Sequence, residues 1–372
     1  MSERTYRVGV IGCGRKGTQH ARAWHLTPGA EIVAAAETDP ENAELFRKRF
    51  GVPVYEDYRE MLRNESIDIA APILPVSANH EVVMGCAEYG VKGILCEKPI
   101  TDSLANADEM VATCRAKGIT FGCGDLDRNL TDYARAKAVI DSGEIGEVVA
   151  IDLYGGSGHE WDIQGLSLTR LFAGDSEAAW VIGWVTGDPF SDHDQGQAGY
   201  IRFANGVEAF RHTNRNAKNG IEVLCTKGSF YTDFMYLKMW KLRDPDDRPH
   251  WHNDLVEMEG LFKEESQHER SGTHGEDGWR WAGNRNLASV QSIIDAIENS
   301  VDPIGSGENS LKCLEIAIAL RESHRRGRIP VRLPLEDRSL RIVPPMSRWL
   351  NKKETVPIEA YRESIGNWKL DR

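Results

Sequence analysis

A glycine triplet set between a strand and a helix constrains this chain more than any other feature. Val8-Gly9-Val10-Ile11-Gly12-Cys13-Gly14-Arg15-Lys16-Gly17 contains the pattern G-x-G-x-x-G. It follows an apolar run, residues 6–11, that reads as a buried strand, and it opens a helical pattern over 18–26. In such a turn Gly12 permits the tight bend, Gly14 lets the backbone approach a pyrophosphate, and Gly17 lets the helix pack closely on the strand. The helix start adds N–H groups and the positive end of a dipole, so an anion fits there. Glu37 stands 20 positions after Gly17, at the end of the next strand, where a carboxylate accepts hydrogen bonds from ribose hydroxyls. The same charge repels a ribose phosphate, which favours NAD over NADP. Arg15 and Lys16 work against that preference, since either reaches a phosphate. Cys13 in the turn and Thr38 beside Glu37 complete this stretch of expected cofactor contacts. A glycine turn with no ligand is the plainer alternative.

The alternation of apolar runs and helical patterns continues to about residue 125. Strands are expected at 31–36, 67–74, 92–96 and 119–123, with helices at 41–50, 79–89 and 104–117. This is the mark of a parallel sheet with helices on both faces. From about residue 145 the signal changes. Residues 147–154 read as a strand, and the runs 200–204 and 207–210 meet across Asn205-Gly206, a strong hairpin cue. A second hairpin is expected at Lys227-Gly228, between 221–226 and 229–234. The chain is therefore expected to be α/β, with an N-terminal doubly wound parallel sheet (1–125) and a C-terminal α+β domain (126–334). The second domain would carry an open, mostly antiparallel sheet with helices on one side. Residues 244–284 are polar and poorly periodic, as in a surface excursion or a lid. Helices are expected at 287–299 and 309–326. The remainder, 335–372, carries Pro344-Pro345 and reads as an extension packed on a neighbouring surface or subunit.

A length of 372 residues suits two such domains. The net charge of −12, from 45 basic and 57 acidic residues, argues against nucleic acid as a partner, because that needs a clustered basic surface. The seven cysteines are an odd number with no C-x-x-C pair, and most sit in apolar runs as free thiols do. With no long apolar segment at the N-terminus or elsewhere, a cytoplasmic protein without a membrane partner is expected. His250, His252, His268 and His274 lack zinc-type spacing, and His193, between two aspartates, reads as an exposed loop residue. No metal is expected.

Several further segments belong together. The glycine motif runs on into His20-Ala21-Arg22-Ala23. Then come Tyr55-Glu56-Asp57-Tyr58-Arg59-Glu60-Met61-Leu62, Pro75 shortly before Asn79-His80, and Gly90 to Cys96 leading into Glu97-Lys98-Pro99. Ser142-Gly143-Glu144-Ile145-Gly146 and residues 323–334 complete the set. In these segments the chain resembles the glucose–fructose oxidoreductase / inositol dehydrogenase (Gfo/Idh/MocA) family. The resemblance implies a Rossmann domain followed by an open sheet that covers the nicotinamide. It also implies an enzyme, an NAD-dependent oxidoreductase that moves a hydride between the nicotinamide and a hydroxyl carbon of a sugar, glycoside or cyclic polyol. Relatives form dimers or tetramers, so a homo-oligomer is expected.

By that resemblance Glu97 and Lys98 lie beside the nicotinamide, at the carboxyl end of a strand where ligands collect in such sheets. A nearby positive ring would disfavour protonated Lys98, which could then hydrogen-bond the reacting hydroxyl and help move its proton. A surface lysine paired with Glu97 is the alternative. Pro75 and His80 resemble the family's proline and histidine at the nicotinamide ribose. Arg128 resembles an arginine at the entry to the second domain, where it would meet substrate or form a structural salt bridge.

The second domain breaks the pattern. The family places an Asp and, four residues later, a His in a helix near the reacting carbon. Matching back from Arg170-Leu171-Phe172-Ala173-Gly174 puts Glu160 and Gln164 at those positions. A glutamine holds a hydroxyl but carries no proton at neutral pH. General-base duty would then fall to Lys98, or to the displaced His159 or Asp162. Trp161, next to them, offers an indole face for a pyranose. The break leaves two alternatives to a dehydrogenase. One is an NAD-retaining lyase or glycosidase-like enzyme working through a transient keto-sugar; the other is a non-enzymatic NAD-binding regulator.

Overall fold

A strand in the middle of a parallel sheet is covered on both faces, so it should be apolar at nearly every position. Strand β1 (Tyr6–Ile11) meets that demand, being buried everywhere except Arg7. The structure, a computed structural model, describes residues 5–124, 127–155, 163–191, 196–212, 218–233, 236–243, 254–262 and 278–342, with 278–284 by backbone only. The chain divides into two units, one comprising 1–126, 282–311 and 345–372, the other 127–281 and 312–344.

In the first unit β1 is joined by β2 (Ala30–Ala36), β3 (Val54–Tyr55), β4 (Ile69–Pro72), β5 (Gly93–Cys96) and β6 (Thr120–Cys123). All pairings are parallel, in the order β3-β2-β1-β4-β5-β6. The order reverses between β1 and β4, which opens a crevice at their carboxyl ends. Helices α1 (Arg15–Leu26), α2 (Pro40–Phe50), α3 (Tyr58–Asn64), α4 (Val76–Glu88) and α5 (Leu104–Ala116) connect the strands. Their ends follow local chemistry. Asp39 caps α2 by accepting the N–H groups of Glu41 and Asn42, Pro40 takes its first position, and Gly51 ends it at φ 71°.

One helix comes from far along the chain. Val290, Ile293 and Ile294 share a buried core with Tyr6, Val8, Val10, Trp24 and Leu95. They belong to α8, Gly278–Asn299. Glycines make room for it: a Cβ on Gly93 would meet Ile297 at 2.8 Å, and one on Gly122 would meet Ile293 at 3.1 Å. The sequence reading placed this helix with the second domain and started it at 287. The structure starts it within the polar stretch and packs it on the first sheet.

The second unit holds a nine-stranded sheet in the order β14-β13-β12-β11-β7-β10-β9-β8-β15. The strands are β7 (Val148–Tyr154), β8 (Ala178–Val185), β9 (Gln197–Phe203), β10 (Glu208–Arg211), β11 (Gly220–Cys225), β12 (Gly228–Thr232), β13 (Leu237–Leu242), β14 (Leu255–Glu257) and β15 (Val331–Arg332). Pairings are antiparallel except that of β7 with β10. Both expected hairpins form, the first at Asn205-Gly206 and the second with its turn at Thr226-Lys227, one residue before the expected Lys227-Gly228. Burial alternates along the strands: Ile151, Leu153, Ile201, Phe203, Val223 and Phe230 are buried, while Tyr154, Trp180, Trp184, Tyr200 and Phe210 on the other face are half-buried. Helices α6 (Thr131–Asp141), α7 (Gln164–Phe172) and α9 (Gly307–Arg325) complete the helical set. From Cys313 to Leu320 almost every residue of α9 is buried, as in a helix enclosed on all sides. A Cβ on Gly183 would lie 2.4 Å from the Leu320 carbonyl oxygen, so the bare glycine sets how closely α9 lies on β8.

Candidate active site

The glycine turn at the end of β1 has no room for side chains. Gly12 sits at φ 91°, and a Cβ there would come within 2.5 Å of the Ile73 carbonyl oxygen. A Cβ on Gly17 would lie 1.7 Å from the Gly12 carbonyl oxygen. Helix α1 begins at Arg15 with Gly14 as its N-cap and no side chain capping it. Its first N–H groups and dipole end therefore suit an anion.

Glu37 closes β2 beside this turn and is buried. Its Oε2 accepts the Cys13 N–H at 2.7 Å and its Oε1 accepts the Asp39 N–H at 2.9 Å. The carboxylate thus fastens the turn; Oε1 also accepts the Thr38 hydroxyl at 3.5 Å, while Oε2 keeps a lone pair for a ribose hydroxyl. A cavity of about 700 Å³ opens here, lined by Gly12, Glu37, Thr38, Leu74 and Pro75 among others. That volume suits a small ligand or part of a larger one. Glu56, Asp57, Glu60 and Glu81 also line it, an acidic composition unfavourable to an added phosphate.

After β5 the chain turns through Glu97-Lys98-Pro99. Glu97 is 7% exposed. Its Oε2 accepts the Lys98 N–H at 2.6 Å, and its Oε1 lies 3.6 Å from Nε2 of His20 in α1. Asn79 of α4 donates from Nδ2 to the carbonyls of Glu97 (3.1 Å) and Pro99 (3.0 Å). Gly124 must be bare, since a Cβ there would lie 2.9 Å from Glu97 Oε2. Burial alone would raise the Glu97 pKa, but the His20 imidazole, Lys16 and Lys98 outweigh it and hold the carboxyl at about 2. Burial lowers the Lys16 ammonium to about 8; Glu97 opposes that shift, and Arg285, Arg15 and Lys98 add to it. Lys16 and Lys98 therefore flank the Glu97 carboxylate, with Arg15 and Arg285 further out around Lys16, an electrostatic setting that suits a diphosphate. Arg285, from α8, was not foreseen, because nothing in the sequence ties it to Lys16. Its one signal is a place just ahead of the apolar stripe that begins at Leu287.

Other expected site residues lie elsewhere. His80 is turned to α5, with Nε2 2.8 Å from Glu109 Oε2. Successive helical residues point about 100° apart, so the inward position falls to Asn79, which the sequence reading passed over. Arg128, in the 3₁₀ turn Asp127–Asn129, is buried and donates to Ser167 Oγ at 3.3 Å and Asp175 Oδ2 at 2.7 Å. It thus forms the structural ion pair that was one of the two roles expected of it. Gln164 opens α7 in the second unit and is half-buried. His159, Glu160, Trp161, Asp162, His193, His250, His252, His268 and His274 lie outside the described residues. Among the described residues no group of three His, Cys, Asp or Glu could hold a metal ion. No described helix is long and apolar enough to cross a membrane.

Comparison with known proteins agrees with this geometry. The profile of a family described as "Oxidoreductase family, NAD-binding Rossmann fold" (GFO_IDH_MocA) matches residues 6–124. An uncharacterised oxidoreductase of Streptococcus pneumoniae is 32% identical over 143 residues, 38% of this chain and 38% of that protein. The scyllo-inositol 2-dehydrogenase (NAD(+)) of Bacillus subtilis is 25% identical over 360 residues, 90% of this chain and 98% of that protein. In fold, the chain is similar to a crystal structure of an Agrobacterium radiobacter oxidoreductase in complex with NAD+, L-tartaric acid and magnesium. That match has a TM-score of 0.73 and 21% identity, covering 88% of this chain and 98% of that one. The glycine turn, the strand order and the Glu97-Lys98-Pro99 corner thus lie in the segment the profile recognises, and over residues 6–124 the chain matches the NAD-binding Rossmann domain of the Gfo/Idh/MocA oxidoreductase family.

Proposed function

We propose that this protein is an NAD-dependent oxidoreductase that transfers a hydride between the nicotinamide and a hydroxyl carbon of a sugar, glycoside or cyclic polyol. One observation carries the reading. A glycine cradle braced by Glu37 and a clamped turn bearing Lys98 lie at the carboxyl ends of β1 and β5, two strands of one sheet with only β4 between them. Bound NAD supplies the hydride acceptor. The chain supplies the rest. The start of α1, with Arg15 and Lys16, holds the diphosphate, and Glu37 takes the ribose hydroxyls. Lys98 hydrogen-bonds the reacting hydroxyl and carries its proton. Glu37 and the acidic lining favour NAD over NADP. The Bacillus subtilis relative acts on scyllo-inositol, which makes cyclic polyols the first class to try.

The test is to mix purified protein with NAD and a panel of inositols, aldoses and glycosides, following absorbance of NADH and the carbohydrate products together. Net NADH with a matching keto product is expected. Product without net NADH would replace this reading with an NAD-retaining lyase.

We also propose a cytoplasmic homo-oligomer. All seven cysteines are free thiols, which suits a reducing compartment. The open face of the second sheet carries a half-buried aromatic row, with Trp184 6.0 Å from Phe210 and His212 stacked 4.5 Å from Tyr154, which suits an interface between copies. Light scattering should give a dimer or tetramer, and Trp184→Arg should lower that mass.

A further inference from the structure

The His20 imidazole is fully buried in α1, yet neither of its ring nitrogens has a hydrogen-bond partner among the described residues. A buried polar atom left unpaired costs on the order of 1–3 kcal/mol, so stability alone does not explain a histidine here. One of the two, Nε2, has a clear neighbour, since it lies 3.6 Å from Glu97 Oε1. With that carboxyl ionised, the tautomer carrying hydrogen on Nε2 is the one that fits. Its N–H faces the Glu97 carboxylate at ion-pair distance, beyond hydrogen-bond reach, and Nδ1 is left as a bare acceptor, the less costly orphan.

The other Glu97 oxygen accepts the Lys98 N–H at 2.6 Å. Two side chains therefore join the helix that starts at the glycine turn to the backbone of the lysine that handles the substrate proton. Asn79 pins the same corner through its carbonyls, and the Cys123 thiol sits 3.7 Å from the Glu97 carbonyl oxygen. The charged and titratable groups around Glu97 are His20 and Lys16 from α1, Lys98 from its own turn, and the thiols of Cys96 and Cys123. Arg15 and Arg285 lie further out, around Lys16.

We propose that His20 is a positioning residue which acts through Glu97 to hold the Lys98 turn in register with the start of α1. The proposal rests on the reading of the protein as an NAD-dependent oxidoreductase. Its content is that His20 touches neither cofactor nor substrate but sets how well Lys98 is placed. Small misplacements of a catalytic group lower turnover steeply while leaving binding almost unchanged.

Five proteins test this: wild type, His20→Leu, Glu97→Gln, the double variant, and His20→Gln as the conservative replacement that keeps a donor near the Nε2 position. NADH affinity is read by fluorescence titration, and kcat and KM on whichever inositol or sugar wild type oxidises. His20→Leu should bind NADH within about threefold of wild type, keep its KM, and lose about 10- to 100-fold in kcat. His20→Gln should recover most of that loss. The double variant should be no slower than the slower single, because both act on one path. Losses that multiply in the double, or a His20→Leu kcat within about twofold of wild type, would overturn the proposal. If His20→Leu gives no cooperative melt, His20→Asn, whose shorter amide stops short of Glu97, takes its place under the same criteria. Failure of wild type to bind NADH would sink the functional reading itself, a result distinct from any pattern among the variants.

Discussion

The carboxylate of Glu37 accepts the backbone N–H of Cys13 at 2.7 Å, so the acid that lines the cavity also fastens the glycine turn beside it. Ligand recognition and local stability are therefore carried by one side chain. Glu37→Ala should raise the dissociation constant for NAD at least about tenfold and also destabilise the ligand-free protein by about 1–3 kcal/mol, through the orphaned Cys13 N–H. Calorimetry with NAD and urea denaturation of the apoprotein check the two effects separately.

Glycine at position 17 is required by contact rather than by backbone angle. Gly17→Ala would set a methyl 1.7 Å from the Gly12 carbonyl oxygen, whereas a Cβ on Gly51 meets nothing within 4 Å and suffers only from its φ of 71°. Gly17→Ala should abolish NAD binding and lower the melting temperature sharply. Gly51→Ala should cost only about 1–2 kcal/mol and leave binding intact. Differential scanning fluorimetry with and without NAD separates the two.

Lys98→Met should leave NAD affinity nearly unchanged while lowering turnover by about 10² or more, the loss expected on removing a group that handles a proton. Unchanged turnover would remove Lys98 from the chemistry.

Two shifted groups give opposite pH signatures. Lys16 is lowered to about 8, so its charge is lost as pH rises through that value. NADH affinity should weaken through pH 8, and Lys16→Met should flatten that dependence. In the ligand-free protein the same depressed pKa means Lys16 costs stability below about 8, a cost relieved between about 8 and its ordinary 10.5. Glu97, held at about 2 against an ordinary 4.5, contributes stability that is fully present above its ordinary value and is lost as pH falls toward 2. Glu97→Gln should therefore flatten the acid limb of a stability–pH curve between about 4.5 and 2.

Arg128 should behave as a fold residue. Arg128→Met removes the donor to Ser167 and Asp175 and should destabilise the protein by about 1–3 kcal/mol, with no change in KM for any substrate it turns over. A raised KM at unchanged stability would return Arg128 to the substrate.

Local signals in the sequence were readable where one segment settles its own structure. The glycine turn, the strand alternation and the Asn205-Gly206 hairpin depend on near neighbours, and each formed as expected. Features set by distant partners were not readable. Arg285 and the apolar stripe of α8 join the first sheet from nearly 200 residues further on, beyond any local periodicity. The different facings of Asn79 and His80 turned on helix phase, since one residue's shift moves a side chain from the clamped corner to the α5 face. Arg128 was ambiguous because its acceptors, Ser167 and Asp175, lie about 40 residues away or more.

The most direct measurement is calorimetric titration of the purified apoprotein with NAD and, separately, NADP. Saturable binding of NAD at micromolar dissociation constants, about tenfold or more tighter than NADP, is the expected result. No heat of binding with NAD, or a clear preference for NADP, would contradict the assignment of the glycine turn and Glu37 to an NAD site.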